Sequence, residues 1–337
     1  IYLDFDGHVT QNTSWNIQRP IIHSPPFDID GDSAAFSVEE TRRIVSIWER
    51  MAEDFRPFRV DVTTVDPSEA DPSIFDRGGV AQRVVFTSNI DVSPGTGERW
   101  YWGDVNGAAT ESWFRGGDTP AWVFSTHPLA GEIGTHEVGH AVGLGHDSEL
   151  RDDGTWIEYR GGHGVGETRW SPIMGQGNGL SQWSQGEYPG ATNREPDIGI
   201  LSRVFGRRED DFPGIGELRI VGSKIEQEGV IESAGDVDTF AFTLPQSGRL
   251  VIDVLPWHNG PNLDIGTALL GQSGNAIVGR GDLEANPIDE LSSSVDVELS
   301  AGTYYLQIQG VGKPPTAEDP GYSDYGSLGY YRVAGTI

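Results

Sequence analysis

Apolar positions change their period several times along the chain, and each change marks an element. Residues 1–5 alternate as a strand does. Val38, Ile44, Ile47, Trp48, Met51 and Phe55 fall near helical spacing. Ser37 and Glu40 form a capping box ahead of them, and Pro57 closes the segment, so the spacing predicts a core-facing helix. Residues 58–64, 83–87 and 121–125 alternate again and predict strands. Residues 91–119 hold many glycines together with Trp100, Tyr101, Trp102, Trp113 and Phe114, which predicts a long loop with aromatic anchors. Pro196 followed by Leu201, Val204 and Phe205 predicts a last helix ending at Gly206. Beyond Pro213 and Gly214 the helical period disappears. Short apolar runs at 239–244, 250–254, 265–270, 295–299 and 304–308, with turn residues between them, predict a β-sandwich of about eight strands. The charged break at 207–211 divides the chain into 1–209 and 214–337, an α+β domain followed by an all-β sandwich.

Composition narrows the partners. The chain has 337 residues, 36% of them hydrophobic, with ten tryptophans, enough for two cores. Its net charge of -28 repels nucleic acid and anionic membranes and suits calcium binding or secretion. The absence of cysteine excludes disulfides and thiolate chemistry. No apolar run approaches the roughly 20 residues that span a bilayer. The chain opens as a strand at Ile1 with no initiator methionine, which predicts a processed chain whose leader or pro-segment is not in this sequence.

The chemistry concentrates in residues 135–147. His136 and His140 are one turn apart on a helix and share a face, with Glu137 at its edge. Gly143 lets the chain leave the helix, and the turn brings His146 back toward the two imidazoles. Three neutral imidazoles can hold Zn2+ and leave a fourth position for water, whose pKa the metal lowers to about 7. Glu137 is placed to take the water's proton and to return it to a leaving amine. The competing reading, a helix with surface histidines, gives no reason for three histidines and a glutamate at these offsets. His163, in a glycine-rich loop, is a rival ligand or, more simply, a solvent-exposed histidine.

His136-Glu137-x-x-His140-x-x-Gly143-x-x-His146-Asp147 resembles the metzincin clan of zinc endopeptidases. The resemblance implies a methionine turn under the metal, and Met174 stands where it belongs, as an apolar floor to the imidazoles. Gln176 stands where some members have a tyrosine ligand, so none is expected here. The resemblance also implies that Asp147 fixes the segment after the third ligand. It further implies that the strand at Trp122 and Val123 edges the cleft and pairs with the substrate backbone. Protein or peptide substrates and a secreted, extracellular location follow from the same resemblance.

Two further stretches suggest calcium. Asp28, Asp30 and Asp32 alternate, with Glu39 eleven residues after the first, close to the ligand spacing of a calcium loop. Ser33 replaces the usual glycine, and a solvated acidic turn is the competing reading. Asp236-Val237-Asp238-Thr239-Phe240, Asn262-Leu263-Asp264-Ile265 and Ala301-Gly302-Thr303-Tyr304-Tyr305 resemble the bacterial pre-peptidase C-terminal domain, found with secreted peptidases. Asp236, Asp238 and Asp264 are calcium candidates or turn residues there. Besides a zinc endopeptidase, two functions fit the sequence: a zinc hydrolase of a non-protein amide such as peptidoglycan, and an adhesion or binding protein.

Overall fold

A computed structural model describes residues 1–278 and 290–337. Two compact units divide them. One comprises Ile1–Phe55, Val60–His146 and Gly199–Gly206; the other comprises Arg56–Arg59, Asp147–Ile198 and Arg207–Ile337. The charged break at 207–211 therefore lies inside the second unit, which also takes up residues 147–198.

The first unit is built on a four-stranded sheet of β1 (Tyr2–Asp4), β2 (Arg83–Phe86), β3 (Gly107–Ala108) and β4 (Ala121–Val123), in the order β1-β2-β4-β3. β1, β2 and β4 run parallel and every residue in them is buried, as expected of a parallel sheet covered on both faces. β3 is antiparallel to β4 and forms one edge. The predicted strand at 58–64 is absent. Only single bridges occur there, Tyr2 to Thr63 and Phe58 to Arg207, so the alternation records burial of Phe58 and Val62 rather than a ladder.

Helix α1 (Val38–Asp54) has the predicted capping box: the Ser37 hydroxyl accepts from the Glu40 N–H and Glu40 Oε2 accepts from the Ser37 N–H at 2.7 Å. It packs on α2 (Ala130–Val142) through Ile47 and Met51 and through a buried polar clamp. Arg50, only 5% exposed, lies 3.0 Å from both Asp54 and Glu132, and the Thr135 hydroxyl donates to Asp54 at 2.6 Å. The loop expected over 91–119 contains β3, a two-stranded ribbon (Ile90–Asp91 with Glu98–Arg99) and a short 3-10 turn. Its aromatics fill a cluster: Trp100 packs edge-on to Trp122 at 4.8 Å between ring centres, with Trp15, Tyr101 and Phe124 around them. The last predicted helix is α3 (Asp197–Phe205).

In the second unit, β5 (Trp170–Pro172) and β6 (Leu180–Gln182) form a parallel pair. The sandwich follows. Its strands are β7 (Ile215–Glu217), β8 (Ile220–Val221), β9 (Lys224–Ile231), β10 (Val237–Leu244), β11 (Gly248–Pro256), β12 (Ile265–Gly271), β13 (Ala276–Val278), β14 (Ser293–Leu299), β15 (Gly302–Gly310) and β16 (Gly329–Thr336). The sheets run β7-β10-β15-β12-β13 and β8-β9-β16-β11-β14. Alternate residues such as Phe240, Leu250, Ile252, Leu306 and Val333 are buried, the period-two pattern that predicted the strands. Among the described residues no helix is long and apolar enough to cross a membrane.

Candidate metal centre

The spacing of the three histidines becomes a cluster because α2 stops where it does. Gly143 takes the left-handed conformation, φ +104°, and its N–H donates to the carbonyls of Gly139 and His140. The chain then turns, and His146 returns to the helix. Ring centres of His136, His140 and His146 are 4.7, 5.3 and 4.6 Å apart, and their ligand nitrogens lie within 4.8 Å of one another. His136 and His140 are buried and His146 is half-buried.

The hydrogen bonds select a tautomer. His140 Nδ1 is 2.8 Å from the carbonyl of Leu144, which can only accept, so Nδ1 carries the proton. His140 Nε2 therefore turns a lone pair toward the cluster and lies 2.9 Å from His146 Nε2. Two imidazole nitrogens this close need a proton or a cation to share. The donor set, three nitrogens of borderline softness, suits zinc.

Glu137, which follows His136 in α2, is 6% exposed, and its Oε2 is buried without a hydrogen-bond partner. Burial alone pushes its carboxyl up to about 8. A cation alongside would favour the charged form and oppose that shift.

In the second unit, Asp147 is tied at its backbone. Its N–H donates to the Met174 carbonyl at 2.9 Å, and its carbonyl accepts from the Arg160 N–H at 2.8 Å. The Tyr188 hydroxyl, 3.3 Å from Asp147 Oδ1, also reaches the Ser148 carbonyl at 3.1 Å. Burial raises the Asp147 carboxyl to about 7 against that hydroxyl. Met174 is wholly buried in a turn closed by the Gly175 N–H on the Pro172 carbonyl.

Several expectations need correction. Trp122 and Val123 are 0% exposed, and β4 has β2 on one side and β3 on the other, so neither edge is open to a peptide. The outer edge belongs to β3, which sequence alone did not mark because its two residues, Gly107 and Ala108, carry no alternation. His163 is not solvent-exposed: its Nδ1 takes a hydrogen from Arg160 at 3.1 Å and its Nε2 gives one to the Gly321 carbonyl at 2.8 Å. Both nitrogens are committed, so it is no rival ligand.

The first acidic loop assembles differently from its spacing. Asp28 and Asp30 converge with Glu40, whereas Asp32 and Glu39 stand outside that group. Glu40, third in α1, folds back onto the Ile29 and Ser37 N–H groups at 2.8 and 2.7 Å, while exposed Glu39 lies 3.8 Å from Arg42. Asp28, Asp30 and Asp32 each accept a backbone N–H two or three residues on, as turn carboxylates do.

A second carboxylate group was half visible in the sequence. Asp236 and Asp238 converge with Asp210, and Asp210 and Asp211 converge with Glu232. Glu232 is 2% exposed with neither carboxylate oxygen hydrogen-bonded, and buried Asp238 leaves Oδ1 without a partner while Tyr331 holds Oδ2. Burial is the first cause that raises both carboxyls, to about 9 and about 8, and neighbouring carboxylates add to it. Asp264 lies elsewhere, accepting from Tyr322 at 2.7 Å. Residues 210 and 211 sit in the charged break, and nothing in the sequence shows that it folds against 232–238.

Comparison with known proteins bears on the second unit. Residues 236–310 match the family of the bacterial pre-peptidase C-terminal domain. Among solved structures, the chain is similar to the pre-peptidase C-terminal domain of collagenase from Bacillus anthracis, at 14% identity over 38% of this chain and 96% of that one, with a TM-score of 0.24. It is also similar to PliG, a periplasmic lysozyme inhibitor of g-type lysozyme from Aeromonas hydrophila, at 11% identity over 36% of this chain and 95% of that one, with a TM-score of 0.25. No curated protein matches the chain.

Proposed function

We propose that the chain is a secreted zinc-dependent endopeptidase of metzincin type, with its peptidase part in residues 1–209 and a pre-peptidase C-terminal sandwich in 214–337. One observation carries the reading: three imidazoles converge with their nitrogens within 4.8 Å, and the residue that follows the first of them in α2 is a buried glutamate with an unpartnered oxygen. The match of residues 236–310 to a domain named for peptidases supports it.

His136, His140 and His146 would hold zinc, which when bound would supply the positive charge that acidifies water and polarises a carbonyl. Glu137 accepts the proton that water gives up and delivers it to the departing amine. Its buried surroundings strengthen the interaction of that carboxylate with any charge forming beside it. Leu144 holds His140 in the ligating tautomer. An extended peptide adds to the outer edge of β3, where backbone groups give affinity without demanding a sequence.

Calcium enters the proposal at the carboxylates of Asp210, Asp211, Glu232, Asp236 and Asp238, since hard oxygen donors suit that ion and the buried oxygens lack other partners.

The decisive variant is Glu137→Ala. It is expected to keep one zinc per chain and to lose casein hydrolysis by several orders of magnitude. Undiminished cleavage would remove Glu137 from its role, and cleavage of cell-wall material instead of casein would replace the substrate class.

A further inference from the structure

The loop ahead of β4 touches α2 at two points, and both are functional positions. At the first, Gly107 of β3 lies against Glu137: a Cβ built on Gly107 falls 2.5 Å from Glu137 Oε1, 2.7 Å from Ile133 Cγ2 and 2.9 Å from Glu137 Cγ. The missing side chain is the space the carboxylate occupies. At the second, the Ser112 N–H donates to the His140 carbonyl at 3.0 Å. Ser112 itself holds φ +58°, a left-handed conformation unusual for serine, and its hydroxyl oxygen lies 3.0 Å from where a Gly143 Cβ would stand. The residue just before the first point is anchored as well, because the Phe124 N–H donates to the Asn106 carbonyl at 2.7 Å.

We infer that Gly107 is a positioning residue for Glu137: the bare backbone of β3 is the wall that fixes the carboxylate beside the three imidazoles. The inference rests on the peptidase reading for its kinetic consequence, but the contact itself does not. Of the three atoms a Cβ would meet, Glu137 Oε1 is the free end of a flexible chain and swings away, while Ile133 Cγ2 and Glu137 Cγ must give way with it. The Ile133 contact costs some stability, and the Glu137 contacts displace the base. A displacement of about 1 Å in a reacting group costs on the order of a hundredfold in rate.

The test is Gly107→Ala in the full chain. It is expected to retain one zinc per chain and to lower kcat by ten- to a hundredfold. Glu137→Asp, which withdraws the colliding oxygen, supplies the coupling: adding Gly107→Ala to it should lower kcat by less than about threefold further. A readout independent of activity is the carboxyl 13C resonance of Glu137, assigned by its loss in Glu137→Gln, which should move in Gly107→Ala. An unmoved resonance with unchanged kcat would overturn the inference, as would a fall in kcat matched by loss of zinc. If Gly107→Ala does not fold, the double variant with Glu137→Asp should; failure of both makes Gly107 a packing residue and ends the proposal. A parent chain that cuts nothing refutes the peptidase reading, and the resonance then still decides the contact.

Discussion

Gly143 decides where the third histidine goes. Its φ of +104° is one that a side chain resists, and the turn it makes separates His140 from His146 by just enough chain to bring the rings to 4.6 Å. Gly143→Ala is therefore expected to cost about 1–2 kcal/mol of stability and to weaken zinc binding, read by thermal melting and by zinc titration. A variant that melts earlier but binds zinc as before would show that the turn is structural only. Arg50 is a second residue on which much rests. Arg50→Ala leaves Asp54 and Glu132 buried beside one another without their shared cation, and the expected cost is about 3–5 kcal/mol, measured by urea unfolding.

Among elements, β4 illustrates what a hydrophobic run can and cannot say. Trp122 reads equally well as a cleft strand or a core strand, because both are apolar and short. The sheet order decides: β4 is interior and Trp122 packs against Trp100. Trp122→Ala should therefore destabilise the chain by about 3–5 kcal/mol and leave KM unchanged at temperatures where the variant is folded. A selective rise in KM would return it to the substrate. Helix α1 was legible because period and capping are local properties, α2 because two histidines one turn apart and Gly143 mark it, and five of the ten sandwich strands among the described residues because they alternate. The histidine cluster was legible because all its members lie within eleven residues of sequence. What stayed hidden depends on long-range packing. Gly107 meets Glu137 thirty residues later, and Glu40 rather than Glu39 turns inward because the third residue of a capped helix folds back on the cap.

At the scale of the whole molecule, a net charge of -28 leaves many carboxylates in competition for few cations of its own. The group of Asp210, Asp211, Glu232, Asp236 and Asp238 gathers part of that excess around the turn between β9 and β10. Calcium is expected to raise the melting temperature of the full chain, by a shift corresponding to about 2.7 kcal/mol at a hundredfold excess over its Kd. Glu232→Gln should abolish most of that shift; a shift that survives would move the ion elsewhere. The order of the second sheet carries a different consequence. Strand β16 lies between β9 and β11, yet its residues, 329–336, follow both of them in the chain. A ribosome thus makes the flanks of this sheet before its centre. The two earlier strands wait, edges bare, until the one that joins them has emerged, and over that interval those edges are open to pairing with another chain.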